Sequence, residues 1–434
     1  MAWGNPVSFP RAILHIDGDA FFASCEVARD PSLRGKPVVT GKERGIVSAA
    51  TYEAKRRGVK RGVPLHEARK ACPDLVVLPS DYETYSLYSK RMYEIVRRYT
   101  PTVEEYSIDE CFADLTGMRR VHHMSYPDIA AAIKRDLERE LDITFSMGLS
   151  ATKVLAKIGS KWQKPAGFTV IPLRDATPFL KKTPCEKLWG IGHNTAALLA
   201  KYGVHTAFAL AEKDERWVKE RLSKPYVELW RELRGEVVNE IDVEGRETYY
   251  SIQKTKTFTP PSRERHFIFS QLSKNIENAC IKARRWNLAS SEIYFFLRTQ
   301  DFRHVHCGVR LPHPTNVPQD VLKSVEKYFP RIYRAGTSYR ATGITLAKLQ
   351  DARSVQLDLF GSVSKTERLK KVYEGVDKVA ERYGKHTVFL ASSFEAVHFG
   401  AHLGERGDVP ERLKHLEKGE STRRHLPLPV LGEV

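Results

Sequence analysis

Apolar and polar residues run in blocks whose period changes along the chain. Ala12-Ile13-Leu14-His15-Ile16 is a continuous apolar run ending at Asp17, the pattern of a buried strand, and Ala20 to Val27 continues as a helix. Asp17 therefore falls at the carboxyl end of a strand. Residues 29–84 form a small insert: Pro37-Val38-Val39 and Gly45-Ile46-Val47-Ser48 predict two short strands, and 51–57 and 64–71 predict helices. A long amphipathic helix over about 85–99 leads to a hairpin, Val103 to Leu115, whose bend carries Ser107-Ile108-Asp109-Glu110. A helix at 126–140 and a strand at 143–149 complete a β-α-β-β-α-β order.

Beyond it, Ser150 is positioned to cap a helix that runs to Gln163, and Pro165 stops its continuation. Lys153, Lys157, Lys161 and Lys164 recur at helical spacing, while Val154, Leu155, Ile158 and Trp162 mark another side, so one face reads as cationic and another as buried. Residues 174–241 read as helical, broken by Gly190-Ile191-Gly192, and the polar stretch 242–251 reads as a linker. From 252 to 349 the order is strand, helix (270–285), strand (291–299), strand (304–311), helix (318–328), strand (339–349), a separate α+β unit. No solenoid repeat is present. The fold class is α+β and multidomain, about three or four modules for a chain of 434 residues.

Charge narrows the choice of partner. A net charge of +17 repels itself unless a polyanion neutralises it, so nucleic acid leads and an anionic membrane is second. Residues 252–349 hold 17 Lys and Arg against 6 Asp and Glu, whereas 350–434 hold 14 against 13, which assigns the basic surface to the body of the chain. No run approaches the roughly 18 apolar residues of a membrane span, and no signal pattern opens the chain; a soluble, intracellular protein is expected. The six cysteines lack C-x-x-C spacing, which argues against structural zinc or a disulfide framework and for reduced, mostly buried thiols.

The chemistry lies in two acidic clusters, Asp17-Gly18-Asp19 and Asp109-Glu110. Carboxylates at contact distance raise one another's pKa, and divalent cations reverse that penalty, so their convergence reads as a Mg²⁺ site for phosphoryl or nucleotidyl transfer. In a two-ion arrangement Asp17 and Asp109 are the bridging ligands, Glu110 completes the nucleophile side and the Gly18 carbonyl supplies a further oxygen. Asp19 has two readings, metal contact or a cap on the following helix. Tyr52, Lys55 and Lys164 are candidates for the opposite, phosphate-binding side. Taken singly, each is an ordinary solvated side chain; the acidic cluster is what gives the combination meaning.

These motifs, Asp17 to Glu26, Tyr52-Glu53-Ala54-Lys55, Ser107-Ile108-Asp109-Glu110 and Ala156-Lys157-Ile158 with Lys164-Pro165, resemble those of Y-family translesion DNA polymerases of the bacterial DNA polymerase IV type, over roughly residues 11–349. The resemblance implies a right-hand polymerase: a ferredoxin-like palm at 11–28 and 85–173, small fingers at 29–84, a helical thumb with a helix-hairpin-helix at 174–241, and a DNA-binding little finger at 252–349. It implies Asp17, Asp109 and Glu110 as catalytic residues holding two Mg²⁺, and Tyr52, Lys55 and Lys164 on the incoming triphosphate. Phe22 would be the steric gate that excludes a 2′ hydroxyl, while Phe21 suits core packing. Gly190 and Gly192 would offer amides to a DNA phosphate. Lys254, Lys256, Arg284, Arg285, Arg298, Arg303, Arg310 and Arg340 are candidate backbone contacts.

The chain departs from the family pattern at Lys55, where Arg is usual, with Arg56 a possible substitute, and at Gly18, where a bulky apolar residue is common and a looser backbone is expected. Gln356-Leu357-Asp358-Leu359-Phe360 resembles the peptide by which bacterial polymerases dock on the sliding clamp. Residues 361–434, with an amphipathic helix at 365–382, read as a partly disordered accessory tail. The expected protein is a monomeric bacterial cytoplasmic enzyme acting on primer-template DNA and deoxynucleoside triphosphates. Two rivals remain at this point: a DNA-binding scaffold without catalysis, and a nucleotidyl cyclase, which shares the core order and the carboxylates but needs no basic module.

Overall fold

The computed structural model describes residues 9–244, 248–354, 362–383 and 386–398. The chain divides into two compact units at Gly245/Arg246. In the first, β1 (Ile13–Gly18) is followed at once by α1 (Phe21–Arg29). The insert contains β2 (Val38–Thr40), β3 (Ala49–Ala50), α2 (Tyr52–Arg56), α3 (Leu65–Ala71) and β4 (Val76–Leu78), with the strands in a three-stranded sheet of order β3-β2-β4. The strand expected at 45–48 falls later, at Ala49–Ala50, because Gly41 and Gly45 take left-handed conformations around a short turn of 3₁₀ helix. β4 was not anticipated; it pairs parallel with β2.

The chain continues through α4 (Tyr82–Arg97), β5 (Val103–Ser107), β6 (Glu110–Asp114), α5 (Met118–His122), α6 (Tyr126–Leu141), β7 (Phe145–Ser150), α7 (Lys153–Trp162) and β8 (Phe168–Ile171). The five strands pair in the order β5-β6-β1-β7-β8. β1 is central and antiparallel to both neighbours, so its residues alternate between two cores. Leu14 and Ile16 pack with Met92 and Ile95 of α4 and Ile129 and Ile133 of α6, while Ile13 packs with Phe112 and Ala156 on the α7 side. Thr152, not Ser150, caps α7: its side chain accepts from the Leu155 amide, while the Ser150 hydroxyl is taken by the Ile171 carbonyl inside the sheet.

Five helices follow: α8 (Ala176–Lys182), α9 (His193–Lys201), α10 (Ala207–Ala211), α11 (Glu215–Arg221) and α12 (Lys224–Leu233). Their core includes Leu180, Leu199, Leu210, Leu229 and Leu233 and continues into Val154, Leu155 and Ile158 of α7. Buried Glu232 accepts from the Val154 amide at 3.0 Å, which ties α12 to the first turn of α7.

The second unit contains β9 (Ile252–Ser262), α13 (Arg265–Arg285), β10 (Leu288–Thr299), β11 (His304–Thr315), α14 (Pro318–Tyr328) and β12 (Tyr339–Asp351), in an antiparallel sheet of order β11-β10-β12-β9. Residues Ile293, Phe295, Leu297, Ile344 and Leu346 pack against Ile268, Leu272, Ile276 and Val321 of the helices. The amphipathic helix expected at 365–382 is present among the described residues beyond 361. α15 (Ser362–Tyr383) and α16 (Phe394–His398) return to α13, where Arg284 holds Asp377 through two bonds of 2.6 and 2.7 Å, and the Ser270 hydroxyl accepts from the Ala396 amide. Among the described residues no helix is long and apolar enough to cross a membrane. The cysteines are free; five are buried and Cys307 is half-buried.

Candidate active site

The β1–β6 pairing sets Asp17 opposite Glu110, and the Gly18 amide donates to the Asp109 carbonyl at 2.8 Å. Two distant acidic motifs thus meet at one end of a sheet because antiparallel register leaves them no other place. The ring of Phe21 fills the space a side chain at Gly18 would need: an added Cβ would lie 2.6 Å from it. Close packing therefore replaces the looser backbone expected there.

Asp17 and Glu110 each have basic partners. Lys164 Nζ is bonded to Asp17; Lys157 Nζ lies 2.9 Å from Glu110 Oε2, and His15 Nε2 lies 3.0 Å from the same oxygen. Behind it, His15 Nδ1 is 2.7 Å from the Ser160 hydroxyl. Burial lowers the His15 pKa to about 4, so the imidazole is neutral and its Nε2–H donates to Glu110. Burial raises the Asp17 carboxyl above its ordinary value, with Glu110 and Asp109 adding to the rise against the pull of Lys164. Glu110 is held low: burial opposes its ionisation, but the His15 hydrogen bond and the charge of Lys157 outweigh it. The Ser107 hydroxyl donates to Asp109 at 2.6 Å.

Among the described residues no three His, Cys, Asp or Glu side chains are gathered closely enough to hold a metal ion as they stand. Lys164 and Lys157 occupy Asp17 and Glu110 and relieve their repulsion instead. The donor set still fits a hard cation: three carboxylates, all oxygen ligands, with Asp17 and Glu110 on adjacent strands and Asp109 in the turn beside Glu110.

Asp19 does not cap the following helix. Its carboxylate is 1% exposed and accepts from the Ser146 hydroxyl at 2.8 Å, the Ala166 amide at 2.7 Å and Thr144 at 3.2 Å. The N-cap of α1 is Ala20, which makes no side-chain cap bond. Asp19 is a buried acceptor that joins β1, β7 and the segment after α7.

Tyr52 and Lys55 reach the same centre. The Tyr52 hydroxyl is 3.4 Å from Asp19, and Lys55 Nζ lies 4.1 Å from the Tyr52 ring centroid. Burial lowers the Lys55 pKa, with Lys164 adding to it and Asp19 and Asp17 opposing. Arg56 is 74% exposed and bonded to Glu53. Arg61, which no motif singled out, adds a smaller charge effect at Lys55 after Lys164. Phe22 is half-buried, stacked on Tyr85 at 4.6 Å, whereas Phe21 is in the core.

The expected cationic face of α7 is corrected too. Lys153 and Lys157 are buried ion-pair partners of Glu104 and Glu110 rather than a solvated stripe. Gly148 permits this, since a Cβ there would lie 2.0 Å from the Ala156 carbonyl and α7 could not approach β7.

Further along, Gly190 is exposed with φ +85° and Gly192 precedes α9. In the second unit, Arg284 is withdrawn from the candidate DNA contacts, because its guanidinium is 10% exposed and bound to Asp377 and the Asn316 carbonyl. Lys254 and Lys256 pair with Ile344 and Thr342, which puts them on the helix-covered side of the sheet at its edge. Arg298 and Arg310 alternate to the other side, with His304 and His306. Arg298 and Arg340 flank the exposed ring of Phe302 at 4.6 and 4.3 Å. Arg285 is exposed, and Arg303 is exposed beside Asp301. Gln356, Leu357, Leu359 and Phe360 lie outside the described residues.

Comparison with known proteins shows the family. The sequence matches the impB/mucB/samB family over residues 16–161 and that family's C-terminal domain over residues 250–359. It is 32% identical to DNA polymerase IV of Caulobacter vibrioides, covering 87% of this chain and 93% of that protein. DNA polymerase IV of Moorella thermoacetica is 34% identical, with 89% and 97% covered. A solved Y-family DNA polymerase chimera has the same fold, with a TM-score of 0.65 at 23% identity, covering 78% of this chain and 99% of that one. An insertion ternary complex of Dbh DNA polymerase gives a TM-score of 0.52 at 23% identity over 77% and 98%. The chain belongs to the impB/mucB/samB family and, within it, to the Y-family polymerases of the DNA polymerase IV type.

Proposed function

We propose that this protein extends a DNA primer on a template by two-metal nucleotidyl transfer and copies past damaged bases. It is a DNA-directed DNA polymerase by family. The observation that carries the mechanism is the register that sets Asp17 against Glu110 and bonds Gly18 to Asp109. Asp17, Asp109, Glu110 and the Gly18 carbonyl would hold two Mg²⁺, which when bound lower the pKa of the primer 3′ hydroxyl and offset the charge of the triphosphate. His15 and Lys157 fix Glu110 in its ionised form. Lys164 and Lys55, with the Tyr52 hydroxyl, are placed to take triphosphate oxygens, Lys164 leaving Asp17 as it does so. Phe22, backed by Tyr85, would close the sugar pocket against a 2′ hydroxyl.

On this reading residues 11–28 and 85–173 are the palm, 29–84 the fingers, 174–241 the thumb and 252–349 the little finger. The insert is small, with strands of only two or three residues, which supports a loose enclosure of the nascent pair and tolerance of distorted templates. The turn at Gly190–Gly192 would bind a backbone phosphate, and the sheet face bearing Arg298 and Arg310 would lie along the duplex. Gln356–Phe360 would dock on the sliding clamp. Primer extension on undamaged and lesion-bearing templates, with and without clamp, tests the whole reading; failure to extend either template would reject it.

A further inference from the structure

Lys157 is 6% exposed, yet its ammonium has one ionic partner, Glu110. A charge so far from water needs something else around it. Three aromatic rings supply this: Tyr106, Trp189 and Phe112 stand with their centroids 4.5, 5.0 and 5.8 Å from Nζ. The rings brace one another, Tyr106 edge-on to Phe112 at 5.6 Å and to Trp189 at 5.4 Å, and the Trp189 indole N–H donates to the Tyr106 hydroxyl at 3.0 Å. Tyr106 and Phe112 belong to the strands that carry the catalytic motif. Trp189 does not; it comes from the segment between α8 and α9 and immediately precedes Gly190.

From this geometry we infer that Trp189 is a positioning residue for Glu110, acting through Lys157. The quadrupole faces of the three rings hold the ammonium where bulk water would otherwise draw it outward, and the ammonium in turn holds Glu110. Two residues of continuous contact therefore join the phosphate-binding turn to the catalytic carboxylate. A thumb engaged on DNA keeps Trp189 seated and Glu110 fixed, whereas a displaced thumb releases Lys157. This rests on Glu110 serving nucleotidyl transfer as proposed above.

The test combines a double-mutant cycle with lysine NMR on the full chain. Trp189→Ala lowers the single-turnover incorporation rate by roughly tenfold, the worth of one well-buried cation–π contact. Trp189→Phe, which keeps a ring but loses the N–H bond, recovers most of that loss. In a Lys157→Met background Trp189→Ala has no further effect. In protein labelled with ¹³C-lysine, the Lys157 ε-methylene signal is shifted upfield by the rings, and Trp189→Ala moves it toward the ordinary lysine position. An equal loss from Trp189→Ala with and without Lys157, or a Lys157 signal unmoved by Trp189→Ala, overturns the inference; the NMR signal and Trp189→Phe serve even where Trp189→Ala folds poorly. Full activity in Glu110→Gln would instead reject the site reading itself, so the two failures are distinguishable.

Discussion

The Ser146 hydroxyl lies 2.8 Å from Oδ1 of Asp19, and both side chains are buried. Asp19 is therefore spent on holding β1, β7 and Ala166 together, although it stands two residues from Asp17. Asp19→Asn turns an acceptor into a partial donor facing the Ser146 and Ala166 donors and should cost about 1–3 kcal/mol of stability, seen as a lower Tm. Its Mg²⁺ requirement should stay near that of the unaltered protein. A raised Mg²⁺ requirement with an unchanged Tm would make Asp19 a ligand after all.

Phe22 lies nearly parallel to Tyr85, with 13° between the rings, and meets Tyr82 edge-on at 5.4 Å. The Tyr85 hydroxyl is anchored on Glu26 at 2.6 Å, so the wall behind Phe22 cannot give way readily. Phe22→Ala should reduce discrimination against ribonucleotides by about a hundredfold or more, since exclusion here depends on a clash. Steady-state incorporation of dNTP and rNTP on one template measures it, and unchanged sugar selectivity would remove Phe22 from this role.

Gly148 carries the approach of α7 to the sheet. Gly148→Ala would push against the Ala156 carbonyl at 2.0 Å and the Ser160 amide at 2.3 Å, both backbone atoms that cannot rotate away. A loss of about 3 kcal/mol or more is expected in chemical denaturation, together with lost activity, because Lys157 and Ser160 ride on the same helix. Gly308 offers the contrast: the atoms nearest its added Cβ belong to the Tyr294 ring, a side chain that can move, so the same substitution there should cost less.

In the second unit, Asp377→Ala leaves Arg284 buried without its carboxylate and should destabilise this unit by about 1–2 kcal/mol, discounted for the partial exposure of Asp377. DNA affinity should be little changed. Arg310→Ala should do the reverse, preserving stability while reducing the slope of log affinity against log salt by about one. Fluorescence anisotropy across a salt series, paired with denaturation, separates the two; a weakened salt slope in Asp377→Ala would return Arg284 to the DNA surface.

Much of this was legible in the sequence where local pattern and chemistry coincide. The apolar run before Asp17 and the hairpin around Ser107–Glu110 gave strands whose ends carry carboxylates, and an antiparallel register does the rest. What escaped was whatever depends on contacts distant in sequence. The lysines of α7 looked like a solvated stripe because Glu104 and Glu110, their partners, are 49 and 47 residues away. Trp189 carried no signal of its own in the sequence, and its place beside Lys157 follows from the docking of a helical segment that no periodicity describes. Arg284 counted as one more basic residue until α15 delivered Asp377, 93 positions later. Lys254 and Lys256 were assigned by charge alone, whereas the strand register decides which side of a sheet they occupy. One signal was available for Gly148: glycine within an apolar strand often marks a close backbone approach.

The most direct measurement is single-turnover incorporation of one deoxynucleotide into a primer-template by the unaltered protein and by Asp109→Ala, each with Mg²⁺ and each checked by circular dichroism for an intact fold. The account predicts extension by the first and a loss of at least about a thousandfold in the second, as expected when a ligand of the reaction's metal ions is removed. Extension by a folded Asp109→Ala protein at a comparable rate would contradict it.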